Sequence, residues 1–439
     1  MERKHLFAKV KKLIVEESGS ATILALFFVL ISAVLGGLAI DFNKAMARRT
    51  HLQVTVDAVA HAALYSRERN SVEASISKAL EIAAVNLPIK TNGDALLASD
   101  IEFGVWDDKT REFTPDINSK TAVRVHAYRI HERNNTVKNI LLRMVGFDTF
   151  ELSRAAVYVT YQPTCFREGF VAEGMVDVQS NNSFQNGFCI HSNDHVKVSS
   201  NNFFGEDTIV SMPQTTNLQL PRSGFESNIG LEDALRDNGY HVRILNRLEQ
   251  LISDISHNSD NTRPDYVKTS LVRYLDGKSV DGSEFVAGKA YYVNCSGGGS
   301  TMSIKNGVVI RNTTIVTNCA VKFGQGATLE DTVLATTNTS DKSISSPSSL
   351  QIGRNDNCAP GGGAQVLTLG GIDMAADMRM YGGQIIAGGD VSFAANADGI
   401  AGASIIAGGT ISGTSNMTMG FCGDGMEDSF LASYFRLAQ

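Results

Sequence analysis

Charge is missing between Ala21 and Ile40, cysteine is missing before Cys165, and proline and tryptophan are scarce, with 8 Pro and one Trp in 439 residues. The late cysteines exclude disulfides or thiolate metal sites from the first third of the chain. None of the six sits in a CxxC pair, and no His cluster stands at zinc-finger spacing, which argues against structural zinc. A basic excess is also missing. The formal net charge is −7, whereas a general nucleic-acid surface must neutralise phosphates, so no nucleic-acid partner is expected. Disorder is excluded as well, because 43% of residues are hydrophobic and only 19% charged.

Catalytic signatures are absent too. Gly297-Gly298-Gly299-Ser300 and Gly361-Gly362-Gly363 lack the Gly-Lys-Ser/Thr of a phosphate loop, and neither His-Glu-x-x-His nor Gly-x-Ser-x-Gly occurs. His191 and His195 flank Asp194, but at that spacing on a strand or turn they do not share a face. The expectation is a non-enzymatic protein with no cofactor and no metal.

What is present begins with ATILALFFVLISAVLGGLAI, residues Ala21 to Ile40. Twenty helical residues at 1.5 Å each span a hydrocarbon core of roughly 30 Å. A cleaved signal peptide would have a shorter apolar run and a small-x-small site soon after it. Here Asp41, Lys44, Arg48 and Arg49 continue a helical pattern instead, so the run reads as a lipid-embedded anchor. Arg3, Lys4, Lys9, Lys11 and Lys12 precede it, outnumbering Lys44, Arg48 and Arg49 after it. The positive-inside rule then puts residues 1–20 in the cytoplasm, as a basic tail.

Everything beyond the anchor would lie outside the cytoplasm, an assignment that Cys165, Cys189, Cys295, Cys319, Cys358 and Cys422 support. An even set of dispersed cysteines in an oxidising compartment favours disulfides over buried thiols. Fifteen pairings are open. The working expectation is sequential: Cys165–Cys189, Cys295–Cys319 and Cys358–Cys422.

The stretch Glu17 to Tyr65 carries Gly19-Ser20, an apolar helix ending in Gly, Asp41 directly after it, the basic pair Arg48-Arg49, Leu52-Gln53 and the run Asp57-Ala58-Val59-Ala60. This combination resembles the N-terminal region of TadG-like proteins of Flp (tight-adherence) pilus assembly. A looser similarity runs through Ala122-Val-Arg-Val-His-Ala-Tyr, Ile140-Leu-Leu-Arg-Met-Val-Gly-Phe and Leu152-Ser-Arg-Ala-Ala-Val-Tyr-Val, to about residue 160, as a strand–helix–strand. The resemblance implies an accessory or structural component anchored in the bacterial inner membrane, with the lipid bilayer and other pilus assembly proteins as partners. Related pilins carry a Glu five residues beyond a Gly cleavage point, where its carboxylate neutralises a neighbour's amine in an apolar bundle. Counting from Gly19, that place holds Leu24, so no such processing is expected. Some relatives carry a von Willebrand A-like metal site. Asp254-Ile-Ser256-His-Asn258 and Asp281-Gly-Ser283-Glu-Phe285 both lack its final Ser and its preceding apolar strand.

Residues 41–160 read as a small α+β domain beside the membrane. Leu52, Val56, Val59, Ala63, Ile76, Leu80 and Ala83 recur at helical spacing as far as about Ala84, and Pro88 and Asn92-Gly93 break the pattern. Ile101-Glu-Phe-Gly-Val-Trp and Val123-Arg-Val-His-Ala-Tyr alternate as strands. Residues 161–439 change character. Val178-Gln-Ser-Asn-Asn-Ser-Phe returns as Val198-Ser-Ser-Asn-Asn-Phe-Phe, and Gln384-Ile-Ile-Ala-Gly-Gly as Ser404-Ile-Ile-Ala-Gly-Gly, each 20 residues on, while Val293-Asn-Cys295 returns as Thr317-Asn-Cys319 after 24. Such periods, with Gly and Asn at the corners, predict an all-β solenoid rather than a sandwich. Asn181-Asn182 and Asn201-Asn202 would stack as ladders, and Gly and Asn would supply left-handed turns.

A helical insertion over about 229–276 is expected, with helices at Leu231–Ser253 and Asp265–Leu275, capping the stack or guarding its edge. Thr336–Asn357 reads as an exposed loop, and the tail Phe430–Leu437 as a cover for the last coil. Solenoids also host carbohydrate-cleaving sites built from carboxylates. Asp373, Asp377, Asp390 and Asp398 are the candidates, and turn roles explain them. The alternative function is therefore an envelope-attached protein that binds or cleaves cell-envelope polysaccharide.

Overall fold

The apolar run is not a separate element. In the computed structural model, which describes residues 18–277, 279–295, 301–413, 416–422 and 425–438, it opens one helix, Ser18–Arg67, of 50 residues. That is about 75 Å at 1.5 Å per residue. Its two halves have opposite surroundings. Leu24 and Phe28 are 57% and 61% exposed, whereas Leu52, Val56, Val59, Ala60, Ala63 and Leu64 are buried. Their spacing of three and four puts the buried set on one stripe. A turn after Arg67 leads to Ser71, whose Oγ accepts the Ala74 N–H (3.3 Å) and starts a second helix, Val72–Asn86, which stops before Pro88. The helical pattern of 42–84 is thus the end of the anchor helix plus a separate helix.

These helices pack on a five-stranded antiparallel sheet in the order Glu112–Pro115, Ile101–Asp107, Ala122–Arg129, Leu152–Tyr161, Tyr434–Leu437. Phe103, Val123, Val125, Ala127 and Ala156 face the helix stripe in one core. The last strand corrects the sequence reading. Tyr434–Leu437 does not cover the final coil but pairs with Tyr161, Thr160, Val159 and Tyr158. The first compact unit is therefore 1–161 with 433–439, and the second is 162–432. The expected helix between the strands at 122 and 152 is a single 3₁₀ turn, Leu142–Val145.

The second unit is a β-solenoid of about 12 turns. Three parallel ladders run its length. The one that shows the chain path reads, from one end, Val272–Asp276, Lys289–Asn294, Val309–Thr317, Thr328–Thr336, Ala364–Thr368, Ile372–Ala387 and Val391–Ala407. It continues with Gly169–Ala172, Cys189–Ser192, Ile209–Met212 and Leu235–Asp237. The first coil in sequence thus stands inside the stack. Ser404 to Ala407 pair with Gly169 to Ala172 on one side, and Cys189 to Ser192 pair with them on the other. The 20-residue repeat is one turn: Val196 opposes Val176, and Ser404 opposes Gln384. The 24-residue repeat likewise sets Val293 against Thr317. Phe170, Ile190, Val210, Ile315, Leu334, Val366 and Ile385 fill the shared apolar column.

The chain must return from the rung at Leu235–Asp237 to the far end at Val272. One helical turn, Leu231–Ala234, precedes that rung, and helix in the return itself is confined to Arg243–Asn246 and Leu248–Ser256. The single helices expected over Leu231–Ser253 and Asp265–Leu275 are not formed, because 235–237 and 272–276 are drawn into the ladder. Leu248–Ser256 packs on Val309–Thr317, Thr328–Thr336 and Ala364–Thr368, along the side of the stack rather than over its end. Beneath it Val316, Val333 and Leu367 are buried, as are Leu248, Ile252 and Ile255 on the helix. The stretch 336–357 is only partly a loop, for Ile344–Ser346 and Gln351–Ile352 are rungs.

Candidate functional site: the anchor helix and the solenoid

Directly after the apolar run Ala21–Ile40 stands Asp41, which is fully buried. A carboxylate out of water needs donors. It has three: the backbone N–H groups of Ile140, Leu141 and Leu142 each donate to it at 2.8 Å. Lys44 Nζ donates to the Lys138 carbonyl at 2.7 Å on the same side. Gly36 and Gly37 let the loop approach. A Cβ on Gly37 would stand 2.7 Å from the Leu142 side chain, and one on Gly36 would stand 3.1 Å from that of Leu141. The sequence pattern flagged Asp41 but not its partner, because the pairing spans 101 residues.

In the solenoid, disulfides join Cys165 to Cys189, Cys295 to Cys319 and Cys358 to Cys422, with Cα separations of 4.8, 5.5 and 5.8 Å. The first two tie adjacent turns. The third ties a loop to the segment after the last coil, beside the seam where 404–407, 411–412 and 418–420 meet 169–172, 176–177 and 183–185. The Cys422 N–H donates to the buried Glu168 carboxylate (2.5 Å), and the Met417 N–H donates to Asn182 Oδ1 (3.1 Å).

Asn182 belongs to a buried ladder. Its N–H donates to Asn202 Oδ1 (2.9 Å), and the Asn202 N–H donates to Asn228 Oδ1 (3.2 Å). Their neighbours Asn181 and Asn201 hold positive φ, 62° and 64°, so the corner role falls to one Asn of each pair and the stacking role to the other. The glycines of Ile-Ile-Ala-Gly-Gly act differently. Gly388, Gly389, Gly408 and Gly409 are not left-handed. A Cβ on Gly389 would stand 3.1 Å from Gly370, and one on Gly408 would collide with the Gly388 carbonyl. They are small because consecutive turns touch there.

His191 and His195 are not brought together as ligands. His191 is buried, its Nδ1 2.8 Å from Ser211 Oγ and its Nε2 2.9 Å from Asn193 Oδ1, and Tyr240 packs edge-on against its ring. Burial lowers its pKa, against the Asn193 hydrogen bond and the charge of Glu173. His195 instead meets Asp194 at 3.0 Å. The candidate carboxylates are also engaged. Asp373 accepts from Lys342 (2.5 Å), Asp377 from Ser349 (2.8 Å), and Asp390 from the Thr410 N–H (2.7 Å). The Asp398 side chain lies outside the described residues. Asp254 lies on a helix and accepts from Gln250, while Asp281 closes a turn on Ser283. The Ser283 bonds, then Lys305, hold the Asp281 carboxyl down to about 2. Among the described residues no group of three or more His, Cys, Asp or Glu could hold a metal.

Residues 169–423 match the family described as "Domain of unknown function (DUF7867)", a span that starts at the first rung and takes in every coil. The chain belongs to the DUF7867 family. Its N-terminal part, residues 19–71, matches the Tad family, described as "Putative Flp pilus-assembly TadE/G-like". No curated protein and no solved structure matches the chain. In this DUF7867 chain the Tad match covers the apolar half and the core half of one helix, and that helix and the Tad match fit a membrane-anchored protein.

Proposed function

We propose that the chain is a non-enzymatic structural component of Flp pilus assembly, anchored in the bacterial inner membrane by Ala21–Ile40. Its basic N-terminus faces the cytoplasm, and the solenoid stands outside, in the periplasm. The observation that carries this reading is the Tad match at 19–71 on a helix that is exposed over its first half and packed along one stripe into a core over its second. A rigid helix continuous from lipid into a folded core transmits position, not chemistry. The three disulfides support an oxidising compartment. The stacked ladder supplies a long surface for other assembly proteins. The polysaccharide reading has less support, since the described carboxylates of the repeats bind neighbours within the stack.

Deletion of the gene, with surface pili imaged and the tagged protein purified from membranes, tests the proposal. Lost pili and co-purified pilus assembly proteins are expected. Normal piliation in the deletion strain would contradict it.

A further inference from the structure

The loop that caps Asp41 has a surface that water does not explain. It is an ordered element. Val137–Lys138 pairs with Thr149–Phe150 at its base, the Asn139 N–H donates to the Asp148 carbonyl, and Asn139 Nδ2 donates to the Phe147 carbonyl, both at 2.9 Å. The tip is the 3₁₀ turn Leu142–Val145, closed by Gly146 at φ 93°. Leu142 points inward against Gly37. Three large apolar side chains point outward: Ile140, Met144 and Phe147 are 58%, 66% and 66% exposed.

The helix fixes where this surface lies. The loop touches Gly36 and Gly37, four and three residues before Ile40. At 1.5 Å per residue that is roughly 4.5–6 Å inside the end of the apolar run. The helix side chains at that level, Leu35, Leu38 and Ile40, are themselves more than half exposed. The loop's apolar face therefore continues the helix's own lipid-facing surface. Arg143, also exposed, supplies a cation on a long apolar stem, suited to reaching headgroup phosphates.

We propose that the Ile140–Phe147 loop is a second membrane contact. It inserts Ile140, Met144 and Phe147 among the acyl chains of the leaflet from which the helix emerges. The occupant is lipid rather than a protein partner, because the patch is continuous with the bilayer-facing helix. Two contacts fix the rotation and depth of the helix, which one helix alone leaves free. The inference rests on the membrane-anchor reading, and its test separates the two.

The test uses the full-length protein with Trp106→Phe, carrying Phe147→Trp, Ile140→Trp or, as a control in the helix, Phe28→Trp. Each is reconstituted in phosphatidylethanolamine–phosphatidylglycerol vesicles, with and without bromine on the acyl chains. Interfacial segments bury about 5–10 Å into the headgroup–acyl boundary, so both loop tryptophans should lose about half or more of their emission to bromine and resist aqueous iodide. Bromine quenching of Phe28→Trp alone, with the loop tryptophans quenched by iodide, would overturn the second contact and leave the anchor standing. Iodide quenching at all three positions would overturn both.

Discussion

The Leu142 backbone N–H donates to the Asp41 carboxylate at 2.8 Å, binding the last turn of the apolar segment to a loop 101 residues later. Ile140 and Leu141 donate to the same carboxylate. Asp41→Ala would leave three backbone donors without this acceptor, of which the buried Leu142 N–H carries the larger cost, about 1–3 kcal/mol. A fall in Tm of several degrees is expected for the detergent-solubilised protein, with a smaller fall for Asp41→Asn, which keeps one oxygen. Equal Tm for all three proteins would remove this cap from the fold's determinants.

The disulfides differ in the loop they close. Cys358–Cys422 spans 64 residues, and Cys165–Cys189 spans 24. By chain entropy the longer loop should stabilise by about 1 kcal/mol more. The double variant Cys358→Ser/Cys422→Ser should therefore unfold at lower denaturant than Cys165→Ser/Cys189→Ser. Peptide mapping without reductant should recover the three sequential linkages. A different linkage set would contradict the arrangement of the coils.

Burial of His191 gives the solenoid a pH dependence whose sign follows from its environment. Burial lowers its folded pKa below 6.5. The unfolded state then binds more protons, so this contribution is complete above about pH 6.5 and is lost as pH falls through the folded value. Between about pH 7.5 and 5.5, wild type should lose more thermal stability than His191→Gln. Identical slopes would mean that the ring takes up its proton equally readily in the folded and unfolded states.

Two glycines separate close approach from turn geometry. Gly408→Ala places a methyl against the Gly388 carbonyl and should destabilise by roughly 1–3 kcal/mol, as overpacking does. Gly307 has φ 67° and open space around it, so Gly307→Asn should cost little. Denaturant melts of both variants check this, and a harmless Gly408→Ala would dissolve the explanation for the Ile-Ile-Ala-Gly-Gly repeat.

What was legible in the sequence was what is local or periodic. Twenty uncharged residues mark the apolar helix, and recurrence at 20 and 24 marks the turn length, because stacked turns face identical environments. The order of the turns was not legible. Ser404 donates to the Phe166 carbonyl across 238 residues, and no short window encodes that docking. The pairing of the C-terminal strand Tyr434–Leu437 with Tyr158–Tyr161 is hidden for the same reason. Leu231–Ser253 had helical periodicity, yet Leu235–Asp237 became a rung, because the free edge of Ile209–Met212 offers backbone partners that an amphipathic pattern does not report. Asp41 stood out in the sequence pattern, whereas its role needed the fold.

The most direct measurement is compartment. With alkaline phosphatase fused after the C-terminus and the cysteines probed by thiol reagents in intact cells, an active enzyme and six unreactive sulfurs are expected. An inactive fusion with reactive thiols would place the solenoid in the cytoplasm and contradict the membrane-anchored, envelope-facing assignment.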